Sequence, residues 1–129
     1  MRSFAVAICL VCATTAVAAS ADAGILRSLK RLEPTERLEQ LCDYTAMLHI
    51  RKDPRHFRPD RAIADAVTDP KVRGNSIEAG GGAFRSRGRW YEMSYSCTAT
   101  PDHMKVLSFK LTVGKEIPEN KWAAYGLWQ

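Results

Sequence analysis

After Trp90, the run Arg89–Ala99 alternates strictly. Tyr91, Met93, Tyr95, Cys97 and Ala99 hold its odd positions, and Glu92, Ser94, Ser96 and Thr98 hold the even ones. Successive strand side chains point to opposite faces, so this run sets an apolar face against a core and a polar face toward water. A half-buried strand of this kind needs neighbouring strands and a layer to cover its apolar face. The alternation returns in Lys105–Val113, where Leu107, Phe109, Leu111 and Val113 stand against Ser108, Lys110 and Thr112. Pro101-Asp102 opens a turn between the two runs, and Gly114 is expected to end the second. Upstream, Asn75–Ala79 reads as a first strand and Gly80-Gly81-Gly82 as a turn. Phe84–Ser86 then pairs with the long strand through a turn at Arg87-Gly88.

The covering layer is legible in residues 34–51. Leu38, Leu41, Cys42, Thr45, Leu48 and His49 recur with the helical period, and Pro34 suits a first helical position. Glu36, Glu39 and Asp43 read as a solvated helix face. Residues 52–59 hold two prolines and no apolar period, so they form a loop. Asp60 is read as the N-cap of a short second helix that carries Ile63 and Val67 and stops at Asp69-Pro70. Pro118 starts a last helical turn or two, with Trp122 inside and Gly126 just past its end. Leu127 and Trp128 fold back against it. These elements make an α+β domain, with an N-terminal helical pair packed on a three- to four-stranded antiparallel meander and a short C-terminal helix.

Four cysteines in 129 residues raise a metal, redox or disulfide reading, and position decides among them. Met1-Arg2-Ser3 is a short basic start, Phe4–Ala19 carries no charge, and small residues follow. This is the pattern of a secretory signal over residues 1–21, with cleavage between 18 and 23. A membrane anchor is the competing reading, but the apolar run of 16 residues is short for a span. Cys9 and Cys12 lie inside the signal, so their C-x-x-C spacing is a decoy. Cleavage after Ala21 leaves 108 residues with a net charge of +4, a basic lead-in over 22–33 and a single domain over 34–129. The mature chain has no transmembrane span and is expected to be periplasmic or secreted. Cys42 on the helix stripe and Cys97 on the apolar strand face then converge on one core. An oxidising compartment allows them to bond, closing 55 residues. The alternative is two unpaired buried thiols.

Chemistry-bearing motifs are sparse. His49, His56 and His103 have no metal-ligand spacing, and Asp53 and Asp102 near them fit ordinary turn chemistry. Ser86, Ser94, Ser96 and Ser108 lack a nucleophile context. The glycine run is not a phosphate-binding loop. No catalytic residue, metal ligand or cofactor is therefore assigned. The informative stretch is Phe84–Tyr91, where Arg85, Arg87 and Arg89 alternate with Phe84, Trp90 and Tyr91, with Lys71 and Arg73 upstream. Export argues against a nucleic-acid partner. The candidate contact residues are Arg73, Arg85, Arg87, Arg89 and Trp90. Their expected partner is an anionic glycan, a lipid head group or an acidic protein. A solvated hairpin tip is the alternative for this stretch. For the whole chain, a small envelope-polymer hydrolase and a structural envelope protein are the competing functions.

One set of residues resembles a known pattern. It comprises Leu38–Asp43, Pro59-Asp60-Arg61, Gly82–Gly88, Trp90-Tyr91, Ser96-Cys97, Pro101-Asp102, Leu107–Phe109, Gly114, Ile117-Pro118 and Trp122. Over about Pro34 to Trp128 the chain is similar to the bacterial family known as domain of unknown function nine-thirty, small exported proteins. The resemblance implies export and one compact domain. It carries no activity and no functional residue.

Overall fold

A computed structural model describes residues 16–129, with side chains from Ala23 onward. The expected signal segment falls mostly outside the described residues, Cys9 and Cys12 included. No helix among the described residues is long and apolar enough to cross a membrane. Two helices, α1 (Ala16–Leu29) and α2 (Pro34–Ile50), precede five strands: β1 (Pro59–Ile63), β2 (Lys71–Arg73), β3 (Ser76–Ser86), β4 (Arg89–Ala99) and β5 (Val106–Glu116). Two short 3-10 turns, Glu119–Lys121 and Ala123–Tyr125, end the chain. The sheet is antiparallel in the order β1-β3-β4-β5, and β2 shares with β1 the same flank of β3.

α2 lies on the inner face of the sheet and buries Leu38, Leu41, Cys42, Ala46 and Ile50 against Ile77, Phe84, Met93, Tyr95 and Cys97. The alternation of β4 holds, since Met93, Tyr95, Cys97 and Ala99 are all buried. The Cys42–Cys97 disulfide joins helix to sheet across a Cα–Cα distance of 6.1 Å. The last residues of the chain cover part of the opposite face. Trp90, Ala83, Ile117, Trp122 and Leu127 form a second core there. Trp122 Nε1 donates to Ile117 O at 3.0 Å, and Ile117 N donates to Trp90 O at 2.8 Å, which pins this segment to β4. Gly126 takes φ +65° as the C-cap of the last turn, and Leu127 N returns to Trp122 O. The rest of the outer face stays open, with Ser96 donating to Glu78 and Ser76 bonded to Thr98.

Several sequence expectations need correction. The segment after Asp60 is β1, not a helix. Ile63 and Val67 stand one helical turn apart, but two positions are a weak signal against a free flank of β3 that pairs β1 along its length. Asp60 sits at a bulge, and its carboxylate goes to Arg85 instead of capping. The helical pair is therefore α1 and α2, and α1 occupies most of the expected lead-in. Its end is capped by Arg37, whose guanidinium donates to the carbonyls of Leu29 and Leu32, and to Asp102 of the β4–β5 turn.

The glycine run is not a turn but a bulge inside β3. The register against β4 slips between Ala79 and Gly82, so the inward positions pass from Ile77 and Ala79 to Gly82 and Phe84. Gly81 is required there because the β1–β2 connector crosses it. Val67 N donates to Gly81 O, and a Cβ on Gly81 would stand 2.6 Å from Thr68 N. Gly114 does not end β5, which runs to Glu116. Its missing side chain makes room for Glu92, whose Cβ would lie 2.8 Å away. A second slip at the start of β5 turns Leu107 outward, 62% exposed, and leaves Phe109, Leu111 and Val113 facing inward. On α2, His49 is exposed and Asp43 is buried, the reverse of the expected pattern.

Candidate functional site

The turn between β3 and β4 has two residues, Arg87 and Gly88, with φ +52° and +76°. Positive φ at both positions matches the right-handed twist of a tight hairpin. Glycine adopts this freely, whereas an arginine there costs about 1 kcal/mol or more. The sharp turn splits the three hairpin arginines. Arg85 bonds Asp60 through two nitrogens at 3.0 Å, and Arg89 reaches Glu116 at 3.2 Å. Arg87 projects into solvent at the tip. The Asp60 carboxyl is held below its ordinary range by the Arg85 hydrogen bonds.

Two expected contact residues lie elsewhere. Trp90 is completely buried in the second core, and its Nε1 donates to Trp128 O at 2.7 Å, so it offers a partner no surface. Arg73 pairs with Ser76 at the far end of β3, roughly 30 Å from the hairpin turn at about 3.3 Å per residue, and is not near Arg85. Other residues take their places. Trp128 is 45% exposed and packs edge-on against Trp90 with ring centroids 5.4 Å apart. The guanidinium of Arg61 lies 5.9 Å from the Trp128 ring centroid and that of Arg85 lies 5.8 Å from it, within cation–π range. Arg58 stands just before β1 at the same end of the sheet, where its backbone N–H donates to Ser86 Oγ. Arg58, Arg61 and Arg87 form no ion pair with a carboxylate among the described residues. No linear spacing could have shown this assembly, because residues 58, 61, 85, 87 and 128 come together only through the register of β1 on β3 and the return of the C-terminal turns.

A groove of about 330 Å³ opens beside this end, between α1, α2 and β1. Ile25, Leu29, Leu32, Tyr44, Met47 and Ala62 line it, and Asp60 and Arg61 stand at its β1 side. Asp43 also lines it, 5% exposed, and accepts a 2.8 Å hydrogen bond from the Tyr95 hydroxyl. Burial pushes the Asp43 carboxyl up to about 7 against the Tyr95 hydrogen bond, with Glu39 and Asp65 adding in the same direction. Burial raises Glu39 as well, helped by Asp65, and burial together with Asp43 raises the Tyr95 hydroxyl.

No side-chain hydrogen bond joins a histidine to Asp53 or Asp102 among the described residues. His103 is buried with Nδ1 at 2.7 Å from Pro34 O and Nε2 at 3.0 Å from Asn75 Oδ1. His49 packs at a tilt against Phe109, with ring centroids 4.8 Å apart. Asp53 pairs with Arg55 at 2.8 Å, which draws its carboxyl down to about 2. Among the described residues no group of three histidines, cysteines or carboxylates is placed to hold a metal ion.

Neither a curated protein nor a solved structure matches the chain. A family model, described as Domain of Unknown Function (DUF930), matches residues 29–127, from the end of α1 to the fold-back after the last turn. That span takes in α2, all five strands and both cores, and the chain belongs to this family.

Proposed function

We propose that this chain is an exported, non-enzymatic module that binds an anionic component of the cell envelope through its arginine–tryptophan end. The observation that carries the reading is the placement of Arg61 and Arg85 over the exposed ring of Trp128, with exposed Arg58 and Arg87 at the same end of the sheet. Arginine presents a planar fork of donors that fits phosphate, carboxylate and sulfate. A tryptophan that orders two guanidiniums lowers the entropy lost when they bind. The strained backbone of Arg87 adds support, because a turn selected only for folding is better served by asparagine or glycine at that position. The signal pattern of residues 1–21 and a helix–sheet disulfide fit an oxidising compartment.

Cosedimentation with vesicles of phosphatidylglycerol or phosphatidylcholine tests the reading. The protein is expected to bind the anionic vesicles only, and less tightly as salt rises from about 0.05 to about 0.5 M. Replacing Arg58, Arg61 and Arg87 together by alanine should weaken binding by about a hundredfold, at roughly 1 kcal/mol per cation near an anionic surface. Arg73→Ala, at the other end of β3, should leave it unchanged. A triple variant that binds as well as the parent overturns the assignment.

A further inference from the structure

We propose that the open part of the outer sheet face, beside the β1–β2 connector, binds a short neutral oligosaccharide. Two cavities of about 400 and about 360 Å³ meet there and share Gly80, Ser94 and Thr112 as their floor. Both volumes fall in the ~300–1,000 Å³ range of ligand pockets. Val67, Thr68 and Asp69 of the connector form one wall. Along β4 the cleft runs from Ser96 past Ser94 to Glu92, about 13 Å at roughly 3.3 Å per residue, the span of a short oligosaccharide and not of one ring. This site is separate from the arginine end and does not rest on the anion-binding reading.

Two features of the floor are not explained by the fold. The first is its hydroxyls. Nearby hydroxyls of the same face are engaged, Ser76 with Thr98 at 2.9 Å and Ser96 with Glu78 at 2.7 Å. Thr68, Ser94 and Thr112 make no side-chain hydrogen bond among the described residues, and Ser94 and Thr112 are direct neighbours across β4 and β5. The second is Gly80. Its φ is not positive, and a Cβ there would meet nothing within 4 Å, whereas Gly81 is hemmed in by Thr68, and Gly82 by Ile63 and Met93. A glycine weakens a strand interior and marks a place where something approaches the backbone closely. At Gly80 no part of the chain makes that approach, and the cleft leaves room for a ligand to make it.

The lining selects the class of ligand. Glu78 accepts from Ser96, which leaves Asp69 and Glu92 against Lys71 and Lys110, so the cleft favours neither sign of charge. Carboxylates accept, ammoniums donate and hydroxyls do both, and the hydroxyls of a sugar answer all three. Val67, 41% exposed, offers an apolar contact to the C–H face of a ring. An acyl chain meets hydroxyls and charges where it needs an apolar wall. A peptide strand finds no free edge, because β3 and β4 are paired on both sides.

Nitrogen–proton correlation NMR with maltotriose and chitotriose as probes, and with triglycine and inorganic phosphate as comparison arms, tests the inference. At least one of the two sugars should give saturable shifts centred on the amides of Gly80, Gly81, Ser94 and Thr112, and neither comparison arm should move them. Gly80→Ile puts a β-branched side chain into the cleft and should remove sugar binding while leaving the melting temperature in place. Ser94→Ala with Thr112→Val should weaken sugar binding by about thirtyfold, for two hydrogen bonds of ordinary strength. Arg61→Ala should leave sugar binding unchanged, and Gly80→Ile should leave vesicle binding unchanged, so the two sites stand or fall separately.

Absence of a saturable shift with either sugar up to its solubility limit overturns the inference. Shifts centred elsewhere, or binding by Gly80→Ile at the parent's affinity, overturn the site. Equal affinity for triglycine overturns the class of ligand. The mapping on the parent protein and the Ser94/Thr112 variant decide the matter even if Gly80→Ile does not fold.

Discussion

The Asp43 carboxyl lies between α2 and the sheet with 5% of its surface exposed, so its proton is coupled to folding. Its pKa rises from 3.8 to about 7 on folding, mainly through burial. The folded chain therefore keeps a proton that the unfolded chain has lost. Stability is fully present below about pH 4, declines as pH rises toward 7, and levels off above that, with a span of order 4 kcal/mol. Glu39, raised in the same direction, adds to the slope. Asp43→Asn keeps an acceptor for the Tyr95 hydroxyl and removes the titration. The parent's urea midpoint should fall between pH 5 and pH 8, and the variant's should fall much less. A parent midpoint that does not move over this interval would contradict the assignment. The sequence places Asp43 on a solvated face because it flanks the apolar stripe. Its burial depends on Tyr95, 52 residues away, and no local pattern carries that.

Among the elements, β3 shows most clearly how a local signal is overruled. Three glycines read as a turn, yet the strand runs through them and bulges so that the β1–β2 connector can cross. Gly81→Ala sets a methyl group against Thr68 and should cost about 1–3 kcal/mol in urea denaturation. Gly80→Ala meets open space and should cost less than about 0.5 kcal/mol. Equal losses at the two positions would show that backbone freedom, not the crossing, sets the requirement. The clearer elements had longer signals. α2 carries its period over 17 residues, and β4 alternates over 11. β1 has five residues and a bulge, so neither period can establish itself, and its pairing with β3 decides its form. Leu107 fails for a related reason. A register slip reverses the phase of a strand whose alternation looks unbroken in the sequence.

Over the whole molecule, one sheet separates two cores, and one covalent link ties the larger core together. The disulfide joins residues 55 apart and connects the middle of α2 to the second strand from the sheet's β5 edge. Replacing Cys42 and Cys97 together by alanine should cost about 2–4 kcal/mol in chemical denaturation. A loss well under 1 kcal/mol would mean that packing alone holds the helix on the sheet. The smaller core has a different task, since its last residues place Trp128 beside Arg61 and Arg85. The sequence identified the hairpin arginines as candidates but not Arg58, Arg61 or Trp128, which only the folded topology assembles. At the opposite edge, β5 runs for 11 residues and, among the described residues, pairs only with β4. Such a border is a template on which a second molecule can add a strand. Exposed Lys105, Lys110 and Lys115 lie along it. Their mutual repulsion across two approaching copies acts as a colloidal guard. Under the proposed anion-binding role, the basic residues of this chain would serve two ends of the molecule in opposite senses, drawing anions to one and keeping its own kind from the other.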